Sequence, residues 1–154
     1  RDEFEDFDLR LDWRVNPEGN GGVYYRVAED GMMERPVKAV EFNLMDDHIP
    51  APPLKHSGAA FDVQAPSEQA EHPAGEWNTA RLLVQGTRVE QWINDKLVCR
   101  YDLTDAAVRD GLKRAGIGET FASVKKGRIA LQDWTGDVFY RNVRIRELPD
   151  DDPH

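Results

Sequence analysis

Cysteine is almost absent from this sequence: Cys99 is the single one among 154 residues. One thiol cannot form an internal disulfide. Its neighbours, K-L-V-C-R-Y-D-L, have the composition of a strand, which predicts that Cys99 packs as a small apolar residue and is not a reactive thiol. No apolar run approaches the roughly 18 residues that a membrane-spanning helix needs, so no membrane span is predicted.

Positive charge is also scarce. Lysine and arginine total 20 against 29 acidic residues, which gives a net charge of -9 and a pI near 4.9. Binding to a nucleic-acid backbone needs a concentrated basic surface, and the sequence shows none, so a nucleic-acid partner is not predicted. A neutral ligand such as a sugar is compatible with this charge. The oligomeric state is left open.

The length and composition of the chain predict one domain. Its 154 residues, 40% of them hydrophobic, are enough to bury a core. We expect a single domain over 1–154, with its core from about residue 7 to 148 and a frayed acidic tail at 149–154. No signal peptide is visible at the charged start of the chain.

Short alternating stretches dominate the sequence and predict an all-β sandwich. One helix is expected over 104–115, with Thr104 as its cap. A proline-rich loop is expected over 49–75, around one short strand. The predicted strands cover 7–13, 23–27, 37–45, 59–63, 76–85, 88–93, 96–102, 127–134 and 138–146.

The stretch V-K-A-V-E-F-N-L-M-D-D-H, residues 37–48, is the centre of the functional prediction. Its apolar residues recur at every second position, so Glu41 and Asn43 must share the face turned away from the core. Two carboxylates and an imidazole follow at once: Asp46, Asp47 and His48. An acid, an amide and an imidazole at one strand and its exit indicate a candidate catalytic site.

Other strands are expected to add polar and aromatic residues to that face. Amides, arginine and carboxylate bind sugar hydroxyls, and an aromatic ring stacks on the C–H face of a sugar. Asn78 and Arg81 are included although their strand has apolar residues on both sides. The expected binding residues are Tyr24, Arg26, Asn43, Asn78, Arg81, Gln132 and Trp134.

Structural explanations compete with each of these assignments. Glu41 could be a solvated cross-strand partner of Arg26 or Lys38, and the residues 46–48 could serve only to form a turn. Three tryptophans are more typical of packing than of sugar stacking, and two histidines of the proline-rich loop are expected on the surface: Trp13, Trp77, Trp92, His56 and His72. No H-x-x-x-H pair is present, so a strong metal motif is lacking.

Four segments resemble one known family when they are taken together and in order. They are G-N-G-G-V-Y-Y-R at 19–26, V-E-F-N-L-M-D-D-H at 40–48, A-G-E-W-N-T-A-R at 74–81 and G-R-I-A-L-Q-D-W-T-G-D-V-F-Y-R-N-V-R-I-R at 127–146. The chain thereby resembles the 3-keto-disaccharide hydrolase family over nearly its whole length.

This resemblance implies a concanavalin-like (laminarinase-like) jelly roll, two curved antiparallel sheets with a ligand groove on the concave face. It also implies action on glycosides oxidised at C3 of the sugar, in periplasmic or secreted bacterial proteins. Two features depart from the family. Its members usually carry sequence before the first strand found here, and they often have histidine where this chain has Trp134.

The implied chemistry begins at C2 of the sugar, because a ketone at C3 acidifies the C2 proton. A base removes that proton, the C1 substituent leaves, and water adds to the enone. We assign Glu41 as the base, Arg26 or a bound cation as the enolate stabiliser, and His48 as acid or metal ligand. Asp46 and Asp47 would orient His48 or complete a divalent-cation site with it; no cofactor is firmly required.

Three alternatives remain at this point. Glu41 and Asp47 could act as the carboxylate pair of a conventional glycosidase. The same sandwich could be a non-catalytic carbohydrate-binding module, because fold alone does not define activity. It could also be an interaction domain of a larger chain.

Overall fold

The computed structural model describes residues 2–31, 34 and 37–149, so the expected tail lies outside the described residues except for Pro149. The described chain forms eight strands and one α-helix, α1 (Ala106–Arg114), with short 3-10 helices at Pro53–Lys55 and Glu119–Ser123. The strands are β1 (Phe7–Val15), β2 (Asn20–Val27), β3 (Glu41–Met45), β4 (Asn78–Gln85), β5 (Arg88–Ile93), β6 (Lys96–Asp102), β7 (Arg128–Thr135) and β8 (Val138–Glu147).

Two antiparallel sheets pack face to face, which confirms the predicted all-β sandwich. Five strands pair in the order β6-β5-β4-β1-β8, and three in the order β3-β2-β7. Strand β1 shows how the sequence dictates this layering: Leu9, Leu11 and Trp13 are at most 3% exposed and alternate with charged residues. The prediction that Trp13 packs in the core is confirmed. No helix in the described part of the chain is long and apolar enough to span a membrane.

A chain of buried hydrogen bonds crosses the sandwich and fixes which face of β2 is inside. Tyr25 Oη lies 2.9 Å from Tyr101 Oη, and Tyr101 donates to Gln91 Oε1 at 2.8 Å. Gln91 Nε2 in turn donates to the Gly58 carbonyl at 2.8 Å, which ties the proline-rich loop to the core. Because Tyr25 points inward, its neighbour Tyr24 must point to the outer side of the three-stranded sheet.

Two sequence predictions of local structure are wrong. The expected strand at 59–63 is a turn, because Ala60 makes only isolated bridges to Phe42 and Gln64 and the chain reverses at Asp62, whose φ is 61°. The helix begins at Ala106 after Asp105, so Thr104 is not its cap. Thr104 instead donates to the Asp102 carboxylate at 2.7 Å, which closes the preceding turn.

Cys99 is buried on β6, as predicted, and burial raises the pKa of its thiol to about 11. The thiol is therefore protonated at neutral pH and a poor nucleophile. The tight turn predicted between β5 and β6 is also present. Asn94 and Asp95 both have positive φ, 49° and 65°, as a two-residue hairpin turn requires.

One side of the sandwich is open. Strands β7 and β8 are the edges of the two sheets, and side chains there that point inward remain accessible. Ile145 pairs with buried Leu9 and Leu131 with buried Val23, yet they are 36% and 40% exposed. Val143 is 50% exposed. The apolar interior is therefore in contact with solvent along this side.

Candidate functional site

The outer side of the three-stranded sheet carries several of the predicted site residues. Across β3, β2 and β7, Tyr24 lies opposite Glu41, and Gly22 lies between Asn43 and Gln132. We call the group formed by Gly22, Tyr24, Glu41, Gln132 and Trp134 the outer wall. Trp134 is its most accessible member, with 65% of the residue exposed, and it lies at the end of the wall, where the register of β7 against β2 shifts. The absence of a side chain at Gly22 leaves a depression in the middle of this face.

Glu41 leans into that depression and is only 8% exposed. The Tyr24 hydroxyl donates to Glu41 Oε2 at 3.1 Å. Burial raises the pKa of Glu41 from 4.5 to about 7, the Tyr24 hydrogen bond opposes this rise, and the charge of Asp62 adds to it. A carboxylate whose pKa lies close to neutral pH is suited to take a proton from carbon and return it.

Gly22 is required for this position of Glu41. A Cβ added at Gly22 would overlap Glu41 Oε1 and lie 2.9 Å from the Phe42 carbonyl oxygen. We expect Gly22→Ala to push the carboxyl toward water, which would lower its pKa from about 7 toward 4.5. The strain should also destabilise the domain by about 1 to 3 kcal/mol. Carboxyl titration by NMR and thermal unfolding measure the two effects; an unchanged Glu41 titration would contradict the role given to Gly22.

Arg26 is not part of the outer wall, which corrects its predicted role as enolate stabiliser or partner of Glu41. The register of β2 shifts between Tyr24 and Val27, and Arg26 has a φ of 52°, so its side chain leaves the expected face. The guanidinium is buried and donates to the carbonyls of Val124 and Glu5 and to the Asp6 carboxylate, at 3.2, 2.9 and 3.5 Å. These contacts make Arg26 a structural residue.

Three other predicted sugar-binding residues, Asn43, Asn78 and Arg81, also lie where they stabilise the fold and not on the outer wall. Asn43 is fully buried, and its amide donates to the carbonyls of Lys55 and His56. Asn78 and Arg81 lie on β4, in the other sheet. Asn78 is buried as well and accepts a hydrogen bond from the His72 backbone at 2.7 Å. Only Tyr24, Gln132 and Trp134 of the predicted binding residues therefore share the outer wall with Glu41.

The residues after β3 line a separate cleft of about 480 Å³, which we call the acidic cleft. Sequence reasoning missed its most perturbed group, Glu71, whose pKa is raised to about 7 by burial and by the neighbouring Asp47 carboxyl. No spacing signal connects the two carboxyls in the sequence. The cleft is lined by Pro17, Asp46, Asp47, His48, Gln69, Glu71, His72, Pro73 and Ala74.

Asp46 and Asp47 serve to hold backbone in this cleft. Asp46 accepts hydrogen bonds from the backbone N–H of Glu18 and of His48, both at 3.0 Å. Asp47 Oδ1 accepts one from Ser57 N at 2.8 Å. The turn explanation thus accounts for Asp46 and for Oδ1 of Asp47, whereas Oδ2 of Asp47 is buried without a hydrogen-bond partner among the described residues. No group of three metal-ligating side chains comes together within the described ranges, which corrects the divalent-cation site predicted at 46–48.

The structure separates Glu41 from the residues predicted to act with it. The Glu41 carboxylate leans over β2, whereas Asp47 bonds Ser57, at the end of the segment that pairs with the opposite edge of β3. No hydrogen bond joins the Glu41 carboxyl to Asp47 or His48 among the described residues, and both of those residues line the acidic cleft, of which Glu41 is not a lining residue.

The remaining aromatic and histidine predictions are met in part. Trp77 and Trp92 are packing residues as predicted, but they are half-buried and packed against arginines instead of lying in the core. His72 is exposed as predicted. His56 is half-buried, with its ring Nε2 2.7 Å from the Ala51 carbonyl oxygen.

Comparison with known proteins confirms the family predicted from the sequence motifs. A family model described as a 3-keto-alpha-glucoside-1,2-lyase-like domain matches residues 1–146. A curated relative, the 3-keto-disaccharide hydrolase of Bacteroides thetaiotaomicron, is 26% identical over 95% of this chain. The chain spans about 60% of the length of that relative.

Solved structures confirm the fold. A candidate glycosyl hydrolase of Parabacteroides distasonis superposes with a TM-score of 0.82 at 21% identity, over 96% of this chain and 72% of that one. The carbohydrate-binding module CBM66 of Bacillus subtilis superposes with a TM-score of 0.62 at 15% identity, over 95% of this chain and 78% of that module. Identities this low support the shared sandwich and carry no information on activity.

Proposed function

This chain belongs to the 3-keto-alpha-glucoside-1,2-lyase-like domain family, and from that premise we propose that it cleaves glycosides oxidised at C3, with Glu41 as the base. The observation that carries this proposal is the Glu41 carboxyl, held over Gly22 and beside Tyr24 with a pKa of about 7. The curated relative is a 3-keto-disaccharide hydrolase, which supports the same substrate class.

The first step is transfer of the C2 proton of the sugar to Glu41. The C2–H bonding electrons form a C2=C3 enolate, because the C3 ketone accepts the negative charge. A base with a pKa near 7 is largely ionised just above neutral pH and still strong enough to assist this transfer. The Tyr24 hydroxyl holds Glu41 Oε2 and so orients the carboxylate toward its substrate.

The second step expels the C1 substituent. The enolate electrons re-form the C3 carbonyl and shift to make a C1=C2 double bond, and the C1–O bond breaks; the departing oxygen takes a proton from water. The hydroxide formed in this way adds at C1 while Glu41 returns its proton to C2, which regenerates the base and completes a net hydrolysis. Release of the enone before water adds would make the same site a lyase.

Two neighbours of Glu41 are suited to hold the sugar. Gln132 lies across Gly22 from Asn43, and its amide can donate to the C3 oxygen as charge develops there. Trp134 is 65% exposed and offers an indole face to the C–H side of a pyranose ring. In this arrangement an amide replaces Arg26 as the donor to the enolate.

The test uses an aryl 3-keto-glucoside and the corresponding aryl glucoside. We expect aryl alcohol release from the keto compound alone, because only the ketone acidifies C2. Deuterium at C2 of the keto compound should slow release about two-fold or more if proton transfer limits the rate. Equal release from both compounds would indicate a conventional glycosidase and would contradict the proposal.

A second candidate function is sugar binding without catalysis. Trp134 favours it, because this exposed indole offers a stacking surface and cannot transfer protons. The likeness to a carbohydrate-binding module is consistent with it. Binding of a 3-keto-sugar with no release over hours, in wild type and Trp134→His alike, would support the module. Release gained by Trp134→His would show a site that lacks only a proton donor.

A further inference from the structure

A row of arginines crosses the outer side of the five-stranded sheet, on the opposite face of the molecule from Glu41. Arg10 on β1 lies directly opposite Arg81 on β4 and also directly opposite Arg144 on β8. Arg81 in turn lies opposite Trp92 on β5. Like charges at directly paired positions destabilise a sheet. Asp8 contacts Arg10 and Arg81 and offsets part of this repulsion. Arg144 has no acidic partner among the described residues, so an anionic ligand would relieve the remaining repulsion.

Positive charge accumulates on this face although the whole chain carries -9. We call the outward side of β1, β4 and β8 the arginine face. Its arginines are Arg10, Arg14, Arg81, Arg141, Arg144 and Arg146. The acids on the same face are Asp8, which contacts Arg10, Arg81 and Arg146, and Asp12, which pairs with Arg141 at 3.3 Å. Six arginines against two aspartates leave this face cationic, and Glu90 near Arg81 and Asp95 at the hollow offset part of that charge.

The row borders a hollow of about 190 Å³. Arg10, Arg81, Arg144 and Trp92 all line it. The Arg81 guanidinium lies over the Trp92 ring at 5.7 Å, so cation and aromatic surface stand side by side. Asp12 and Asp95 line the hollow as well, and Asp12 is already neutralised by Arg141. Such a hollow accepts a ring that has one apolar face and an attached anion.

Carboxylate is the anion that this geometry suits. Arg81 shows how a carboxylate is held here, because its Nε and Nη2 each lie 3.0 Å from one of the two oxygens of Asp8. Asp8 occupies this fork, so a ligand carboxylate would be bound chiefly by the more exposed Arg10 and Arg144. The three arginines repeat at the strand spacing, about 4.8 Å. In an extended two-fold polysaccharide ribbon, successive residues turn their carboxylates to opposite edges, so carboxylates on one edge recur at every second residue. That repeat is close to the two strand spacings, about 9.6 Å, that separate Arg81 from Arg144.

We propose that the arginine face binds a polyuronate, a polysaccharide with a carboxylate on each sugar residue, at a site separate from Glu41. The site does not depend on the catalytic proposal. It would hold the domain on an anionic polysaccharide while the outer wall stays free. Strong dependence on salt is expected, because exposed arginines make most of the contacts.

Polygalacturonate is the probe, with dextran as the neutral comparison, both measured by affinity electrophoresis and titration calorimetry. Wild type should bind polygalacturonate and not dextran. The double variant Arg10→Ser/Arg144→Ser should bind at least ten-fold more weakly. The matched control, Arg109→Ser/Lys125→Ser, removes the same charge from exposed positions outside the strands and should bind as wild type does.

Three results would overturn the proposal. They are no binding of polygalacturonate by wild type, an equal loss in the control variant, and binding of only DNA, sulfated dextran or anionic vesicles. Far-ultraviolet circular dichroism checks that the variants fold. Should the double variant unfold, Arg144→Ser alone replaces it, because the Arg144 guanidinium bonds only the Asn142 carbonyl among the described residues; a several-fold loss is then expected.

Discussion

Glu41→Gln should abolish cleavage of a 3-keto-glycoside, with a loss of kcat of about 10³-fold or more if general-base transfer is the limiting step. Glutamine keeps the size of the side chain and can still accept a hydrogen bond from Tyr24, but it cannot take a proton. The loss should therefore fall on kcat with little change in KM. Activity of wild type should rise with pH through an apparent pKa of about 7, the value that burial gives to Glu41.

The acidic cleft supplies the control for this experiment. Glu71 also has a pKa of about 7, and it lies beside Asp47 in the acidic cleft. Glu71→Gln removes an equally perturbed carboxyl from the rival location and should leave kcat within a few-fold of wild type. The reverse pattern, with Glu71→Gln inactive and Glu41→Gln active, would indicate that the reaction takes place in the acidic cleft and would contradict the role of Glu41.

Glu41→Gln should make the folded domain more stable at neutral and alkaline pH, although it abolishes activity. The pKa of Glu41 is about 7 in the folded chain, whereas an ordinary exposed glutamate, which represents the unfolded chain, has a pKa of 4.5. Between these values the unfolded state binds fewer protons, so the wild type loses stability as pH rises from 4.5 to 7, and above pH 7 the loss is complete. Glu41→Gln lacks this loss. It should match wild type near pH 4 and be more stable near pH 8, by roughly 1 to 3 kcal/mol.

Arg26→Leu should destabilise the domain by about 3 to 5 kcal/mol, because it removes one partner of a buried ion pair. Asp6 would keep its hydrogen bond from Gly86 N but lose its cation, and the carbonyls of Glu5 and Val124 would lose a donor. For a domain of this size the fall in Tm should be about 10 °C. Thermal and urea unfolding measure it.

The same variant separates the two roles considered for Arg26. A structural residue predicts lower stability with kcat almost unchanged, measured well below the unfolding midpoint. Loss of kcat at normal stability would restore the enolate-stabilising role inferred from the sequence. Arg109→Leu, which removes an exposed arginine of α1, is the matched control and should shift Tm by less than about 2 °C.

Strand alternation predicted most of the fold, because a period of two is a local property of the chain. It placed the strands around Trp13, Tyr25 and Glu41 and located the turn at Asn94 and Asp95. It failed at Arg26, where an irregular step in β2 reverses the expected side. It also failed at 59–63, where apolar residues cover β3 without forming a strand.

The sequence predicted the part of the candidate site in which residue alternation along neighbouring strands determines which side chains share a face. Glu41, Tyr24 and Gln132 share a face because simple alternation puts them there. The pair Asp47 and Glu71 lies 24 positions apart in sequence, and no local pattern marks its approach. The arginines of β1, β4 and β8 are spread over distant segments of a sequence with a net charge of -9, so they form no visible basic cluster in it. Pairing of distant strands concentrates them, so a count of charges along the sequence could not reveal a basic surface.

The accessible apolar side chains between β7 and β8 should make the isolated domain of 154 residues prone to self-association. Ile145, Val143 and Leu131 are exposed to solvent, and among the described residues β7 and β8 are edge strands, whose free edges can pair with another strand. Samples should bind fluorescent dyes that report apolar surface and should self-associate as concentration rises. A detergent or a peptide strand that covers this apolar surface should keep the samples monodisperse, whereas a change of pH should have less effect.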